Sequence, residues 1–268
     1  MSANIFNTAV TAEIKKVSQV AEYLWNKGWA ERNGGNISLN LTGLMDYSLK
    51  DAAKCRYVNV DSYPKELAEK IFFVSGTGER LRDLSDPKEA ACIIQFDKEV
   101  NGYFIIWGGE KAGFRPTSEL ISHIKIHLSM EKANNSYRAV LHTHPIEMIC
   151  MSHNSDYTKD EDLFNNAIWS MLPEVRAFVP RGISLTPYAI PGSEKLADLT
   201  VEALKNRDVV LWMKHGALSA GRDISEAFDF VDVANKGCQI LMKCLASGFT
   251  PAGMTKSEMQ ELVEVFNL

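Results

Sequence analysis

Apolar residues recur at Val10, Ile14, Val17, Ala21, Leu24 and Trp25, a spacing that predicts an amphipathic helix ending at Gly28. After the polar loop 31–36, Ile37, Leu39 and Leu41 alternate like a half-buried strand. Apolar runs at 71–74, 103–107, 138–141, 175–179 and 209–212 predict further strands. Helices are expected from Pro116–Glu119 to about Met130, and over 145–152, 161–172, 193–205, 224–247 and 256–266. Residues 42–70 are polar and irregular and read as an insertion with short strands near 57–60. No repeat, low-complexity tract or linker divides the chain, so a single α/β domain over 1–268 is the simplest expectation.

Composition narrows the class. Apolar content of 46% and charged content of 24% are ordinary for a globular protein able to bury a sizeable core. A net charge of −5 with no Lys/Arg block argues against a nucleic-acid partner. No apolar run approaches a membrane span, and the opening MSANIFNTAVTAEIKK lacks the basic start and unbroken apolar core of a signal peptide. The five cysteines are odd in number, scattered and without a C-x-x-C pair, so reduced thiols in a cytoplasmic protein are expected. Cys150 stays open as a ligand.

The chemistry sits where strands end. His142 and His144 flank one residue at the end of an apolar run, and strand residues two apart share a face. His215 follows a second such run and precedes Gly216. Three neutral imidazoles with a fourth position open describe a catalytic zinc site better than a closed structural one. A lone strand-end histidine would read instead as a half-buried polar residue with a hydrogen-bond partner. Glu119, His123 and His127 share one helix face at i, i+4 and i+8. Without the adjoining glutamate of H-E-x-x-H, the two histidines read as packed or hydrogen-bonded. Glu119 reads equally as a helix cap or as a base or movable ligand beside the metal. Glu147 and His153 read as a solvated helix face.

Two glycine loops, Asn33–Gly34–Gly35–Asn36 and Ser75–Gly76–Thr77–Gly78, and the hydroxyls of Thr117 and Ser118 could cradle a phosphate with neutral donors rather than cations. Each alone also reads as a tight turn or an N-cap. Neither loop matches a nucleotide fingerprint.

Taken in order, the segments WNKGWAERNGGN (25–36), VSGTG (74–78), PTSEL (116–120), HTH (142–144) and LWMKHG (211–216) resemble the zinc-dependent class II aldolase/epimerase family from about residue 10 to the C-terminus. The length, the tryptophan-flanked first helix and the insertion resemble the branch acting on L-rhamnulose 1-phosphate. The resemblance implies a three-layer α/β domain with a mainly antiparallel central sheet. It also implies a homotetramer with active sites at subunit junctions and one Zn²⁺ per subunit on His142, His144 and His215. Glu119 would be the base, able to approach the metal when substrate is absent. Asn33, Gly35, Asn36, Thr77, Gly78, Thr117 and Ser118 would hold the substrate phosphate, and Glu174 would serve as a second acid reaching a neighbour's site. The implied reaction is reversible cleavage to dihydroxyacetone phosphate and L-lactaldehyde. The alternatives are L-fuculose 1-phosphate cleavage and sugar-phosphate epimerisation or dehydration on the same metal. A zinc hydrolase would have no use for the phosphate loops. The related adducin head, a non-catalytic assembly module, lacks the metal ligands that this chain carries.

Overall fold

The computed structural model describes residues 6–61, 63–133 and 135–268. Among them, one sheet is built from β1 (Asn36–Asn40), β2 (Arg56–Asn59), β3 (Ile71–Ser75), β4 (Ala91–Phe96), β5 (Gly102–Gly108), β6 (Ala139–Thr143), β7 (Ile183–Thr186), β8 (Val209–Trp212) and β9 (Gly216–Gly221). Its order is β2-β5-β4-β3-β1-β6-β9-β8-β7, and every pairing is antiparallel except that of β7 with β8. The helices are α1 (Thr8–Asn26), α2 (Leu49–Ala52), α3 (Pro87–Ala90), α4 (Leu120–Lys132), α5 (Ile146–Met151), α6 (Ser155–Thr158), α7 (Glu161–Trp169), α8 (Pro173–Phe178), α9 (Glu194–Leu204), α10 (Ile224–Ala246) and α11 (Lys256–Phe266).

Both faces of the sheet are covered, which makes three layers. On one face Val10, Val17 and Leu24 of α1 and Phe228 and Val231 of α10 pack with Ile37, Leu39, Phe73 and Leu141. On the other, Ile124 and Leu128 of α4 meet Phe72, Val74, Ile94 and Phe96. Further along that face, Ile126 and Met130 of α4 and Leu196 of α9 pack with Val140, Val210, Trp212 and Leu218. Adjacent strand residues such as Phe72 and Phe73 therefore serve different cores, as the two-residue period requires. This double cover explains why β1 is buried at all five positions rather than half-buried, as its alternation suggested. Its second face carries Asn36, Ser38 and Asn40, polar residues that must then find partners inside the protein.

The first helix forms as expected, with Asn7 capping it by accepting the Val10 N–H at 2.9 Å. Asp223 caps α10 in the same way, accepting from the Glu226 N–H. Several elements differ from the sequence expectation, which included neither β4 nor β7. The run 175–179 is not a strand but lies largely in α8: Pro173 opens the helix at a position where its missing N–H costs nothing, and Val175 and Val179, four apart, are both buried. Strand β9 follows His215 directly and was not expected, since Gly216, Ala217, Ser219, Ala220 and Gly221 lack the bulk that marks a strand. Within 42–70, β2 forms the short strand expected near 57–60 and lies at the sheet edge. Among the described residues, no helix is long and apolar enough to cross a membrane.

Truncating Phe73, fully buried between the sheet and α1, is expected to cost about 3–5 kcal/mol in Phe73→Ala. Urea denaturation would measure it, and a loss below about 1 kcal/mol would contradict the packing described.

Candidate active site

Strand register assembles the site. Asn36 of β1 sits opposite His142 of β6, and His142 sits opposite Leu218 of β9. His144 lies just past the end of β6, where its backbone N–H donates to the Trp29 carbonyl at 3.0 Å. The Thr143 hydroxyl donates to the same carbonyl at 2.7 Å, so the loop after α1 holds the H-x-H segment in place. His215 lies in the turn joining β8 to β9, behind Lys214 in the left-handed region at φ 66°. Gly216 is required by crowding: a Cβ there would stand 2.8 Å from both His142 Cε1 and His144 Cδ2.

One ring nitrogen of each of His142, His144 and His215 falls within 4.8 Å of the others. His142 donates from Nδ1 to the Ala217 carbonyl at 3.0 Å, which leaves Nε2 unprotonated and free to ligate. His144 Nδ1 meets Glu31 Oε1 at 2.6 Å, a carboxylate–imidazole pairing typical of metal-site histidines. The other nitrogen, His144 Nε2, is buried and has no hydrogen-bond partner among the described residues. A buried imidazole nitrogen without a partner beside two more is what a divalent cation would satisfy, so the residues fit a metal. Burial also suits ligation. It holds His142 well below the ordinary histidine range and pushes His215 down to about 4, so both rings are neutral near pH 7.

Glu119 stands at the N-terminal boundary of α4 and is buried, with Oε2 3.9 Å from His142 Nε2. Burial raises its carboxyl above the usual range, opposed by the amide of Asn36, which donates to Oε2 at 2.8 Å. Asn36 Oδ1 in turn meets His123 Nε2, and Ser38 Oγ lies 2.7 Å from His123 Nδ1 and 2.8 Å from His127 Nε2. His123 and His127 are thus hydrogen-bonded residues inside the sheet–helix layer, as their spacing without an adjoining glutamate suggested. Burial pushes both down to about 3.

A cleft of about 350 Å³ gathers these groups with the predicted phosphate loops. Asn33, Gly35, Asn36, Thr77, Gly78, Thr117 and Ser118 line it together with the three histidines and Glu119. The second and third loops are tied together, since Thr77 N–H donates to Arg115 O and Thr117 N–H to Ser75 O, each at 2.9 Å. Gly35 is needed at φ 78°, where a Cβ would also come within 2.8 Å of the His142 carbonyl.

Other sequence-stated candidates fall elsewhere. Glu174 is exposed on α8 and does not line this cleft. Cys150 is exposed and outside the histidine cluster. His153 is exposed as expected, but Glu147 is engaged, accepting from Asn235 and Gln239 of α10 at 2.8 and 2.9 Å. Two lining residues were not anticipated. Glu31 orients His144 from 113 positions away, and Arg32, in the left-handed region at φ 46°, brings a cation to a rim expected to rely on neutral donors. The positive φ of a bulky residue was the one sign of Arg32's constraint, and it is not visible in sequence. A larger groove of about 750 Å³ along α10, lined by Arg222, Glu226, Asp229 and neighbours, contains no histidine.

A mainly antiparallel sheet between two helical layers, with this histidine cluster, defines the class: the chain belongs to the Class II Aldolase and Adducin N-terminal domain family, matched over residues 15–242. It is 40% identical over 262 residues to the rhamnulose-1-phosphate aldolase of Bacteroides thetaiotaomicron, covering 97% of this chain and 96% of that one. The same-named protein of Listeria welshimeri is 31% identical, with 95% and 92% covered. Within the family, the chain therefore groups with the rhamnulose-1-phosphate aldolases, which are lyases. The crystal structure of a sugar-phosphate aldolase from Thermotoga maritima is similar at a TM-score of 0.74 and 29% identity, over 91% of this chain and all of that one.

Two outcomes follow from the site. Gly216→Ala is expected to lower metal affinity at least about 10-fold by displacing His142 and His144, read by chelator competition with circular dichroism unchanged. Acid should also weaken the fold. His123 and His127 stay neutral in the native state down to about pH 3 but take up protons near 6.5 when unfolded. Their contribution is therefore intact above pH 6.5 and is lost as pH falls below it, by about 1.4 kcal/mol per histidine per pH unit. Urea midpoints between pH 7 and 5 would show a steeper decline in wild type than in His127→Gln.

Proposed function

We propose that this cleft cleaves L-rhamnulose 1-phosphate reversibly to dihydroxyacetone phosphate and L-lactaldehyde by a retro-aldol reaction. The observation that carries the reading is a buried carboxylate, Glu119, 3.9 Å from one of three clustered imidazoles in a chain of this family. Relatives 40% and 31% identical that are named for rhamnulose 1-phosphate favour that sugar over L-fuculose 1-phosphate.

Cleavage leaves an enediolate of dihydroxyacetone phosphate, an anion too basic to form unaided near neutrality. A Zn²⁺ ion bound by His142, His144 and His215 would supply the Lewis acidity that spreads this charge. Glu119 is the base: in the condensation direction its carboxylate removes the C3 proton of the ketone, and in cleavage it returns that proton. Desolvation brings its basicity closer to the working pH than that of an exposed carboxylate. Asn33, Gly35, Asn36, Thr77, Gly78, Thr117 and Ser118 hold the phosphate. Their amides and hydroxyls fix the three-carbon unit over the histidines. One amide hydrogen of Asn36 is engaged by Glu119, which leaves the second for a phosphate oxygen.

The enzyme is a homotetramer whose sites lie at subunit junctions. There Glu174 of a neighbouring subunit protonates the new alkoxide formed in condensation, and takes that proton back in cleavage. An exposed Glu174 outside its own cleft and the exposed apolar Tyr188 and Ile190 support that arrangement. Five unpaired cysteines support a reducing, cytoplasmic setting.

Zinc-loaded protein offered both sugar phosphates should release dihydroxyacetone phosphate faster from the rhamnulose substrate and stop on addition of a chelator. No release from either sugar with zinc bound would overturn the aldolase reading. Glu119→Gln is expected to lower kcat by roughly 10²–10⁴ while phosphate binding persists. His142→Ala should lose both metal and turnover, and stoichiometric zinc with full activity in that variant would remove the metal assignment.

A further inference from the structure

Between Glu119 and the interior of α4 runs an unbroken series of buried polar contacts: Glu119, Asn36, His123, Ser38, His127. His123, His127 and Ser38 are each no more than 1% exposed, so the protein itself sets the proton positions in this series. Only one direction suits an ionised Glu119. Its Oε2 accepts from the Asn36 amide N–H at 2.8 Å, so Asn36 Oδ1 points the other way and must accept from His123 Nε2–H. The neutral His123 then has a bare Nδ1, which accepts the Ser38 hydroxyl at 2.7 Å. With its proton committed, Ser38 Oγ accepts from His127 Nε2–H at 2.8 Å. The opposite direction would turn Asn36 Oδ1 toward the carboxylate, oxygen against oxygen.

We infer that His123, fixed by Ser38 and His127, is a positioning residue for the reaction: its Nε2–H locks the Asn36 amide so that an N–H, never the oxygen, faces Glu119. This rests on Glu119 being the base of the proposed aldol cleavage. An Asn amide is nearly symmetric in shape, so packing alone does not choose between its two orientations. A donor on the far side does. His123 touches neither substrate nor metal ligands in this account; it acts on the carboxylate through Asn36 alone. The series also explains why polar groups occupy the α4-facing side of β1, since each satisfies the next.

Long-range ¹⁵N–¹H correlation on the zinc-loaded wild type should show both His123 and His127 protonated at Nε2 and bare at Nδ1. A proton on His123 Nδ1 would overturn the proposal. This measurement needs no turnover, so it stands apart from the assay, and absence of product from wild type would count against the reaction alone. His123→Leu removes the donor and should lower kcat by about 10–100-fold, with KM and bound zinc within about threefold of wild type. His123→Gln, whose amide N–H can take the place of Nε2–H, should recover most of that loss. Wild-type kcat in a folded His123→Leu, or no recovery in a folded His123→Gln, would sink the positioning role. If His123→Leu does not fold, the tautomers and the glutamine variant decide it.

Discussion

The pairing of β6 with β1 on one side and β9 on the other is the constraint on which the site depends. It sets Asn36 opposite His142 and His142 opposite Leu218, with all three strands buried on both faces. Because strand side chains alternate, a slip of one residue would send His142 into the α1 core and bring Leu141 to the Glu119 side. Two apolar layers hold that register, Leu141 packing beneath one face and Val140 beneath the other. The hydrophobic alternation that shapes the core therefore also aims Asn36 and His142 toward the side where Glu119 lies.

Burial then dictates the electrostatics. Neutral imidazoles are favoured where a charged ring would be desolvated, which suits metal ligation at His142 and His215 and hydrogen bonding at His123 and His127. The same desolvation raises Glu119, and the donor from Asn36 limits how far. A single physical cause thus serves the ligands, the carboxylate and the residues behind it.

Much of this was legible in the chain because it is local. The two-residue spacing of His142 and His144, the glycine after His215 and the clustered Gly, Asn, Ser and Thr loops are short-range patterns, and the three histidines line one cleft with Asn33, Gly35, Asn36, Thr77, Gly78, Thr117 and Ser118. What could not be read is what depends on distant partners. Glu31 meets His144 across 113 positions and Asn36 meets Glu119 across 83, and no window of sequence contains either pair. Asn36 was read only as a phosphate donor, although its amide also contacts Glu119. The fold shows the same division: α1 and α10 announce themselves by periodicity, whereas β9 is made of small residues whose strand state comes from its neighbours β6 and β8. In α8 a short apolar run was ambiguous between periods of two and four, and its packing against α10 decided it.

The three imidazoles come from two stretches more than seventy residues apart in the chain, joined only when β6 pairs with β9, as the contact between His142 and Ala217 records. Strand pairings across such separations close large loops and are slow steps in folding. The three-imidazole cluster must therefore wait for the long-range pairing. The rate at which the three imidazoles come together in the refolding chain would time the completion of the sheet's centre, making the histidine cluster a clock for assembly.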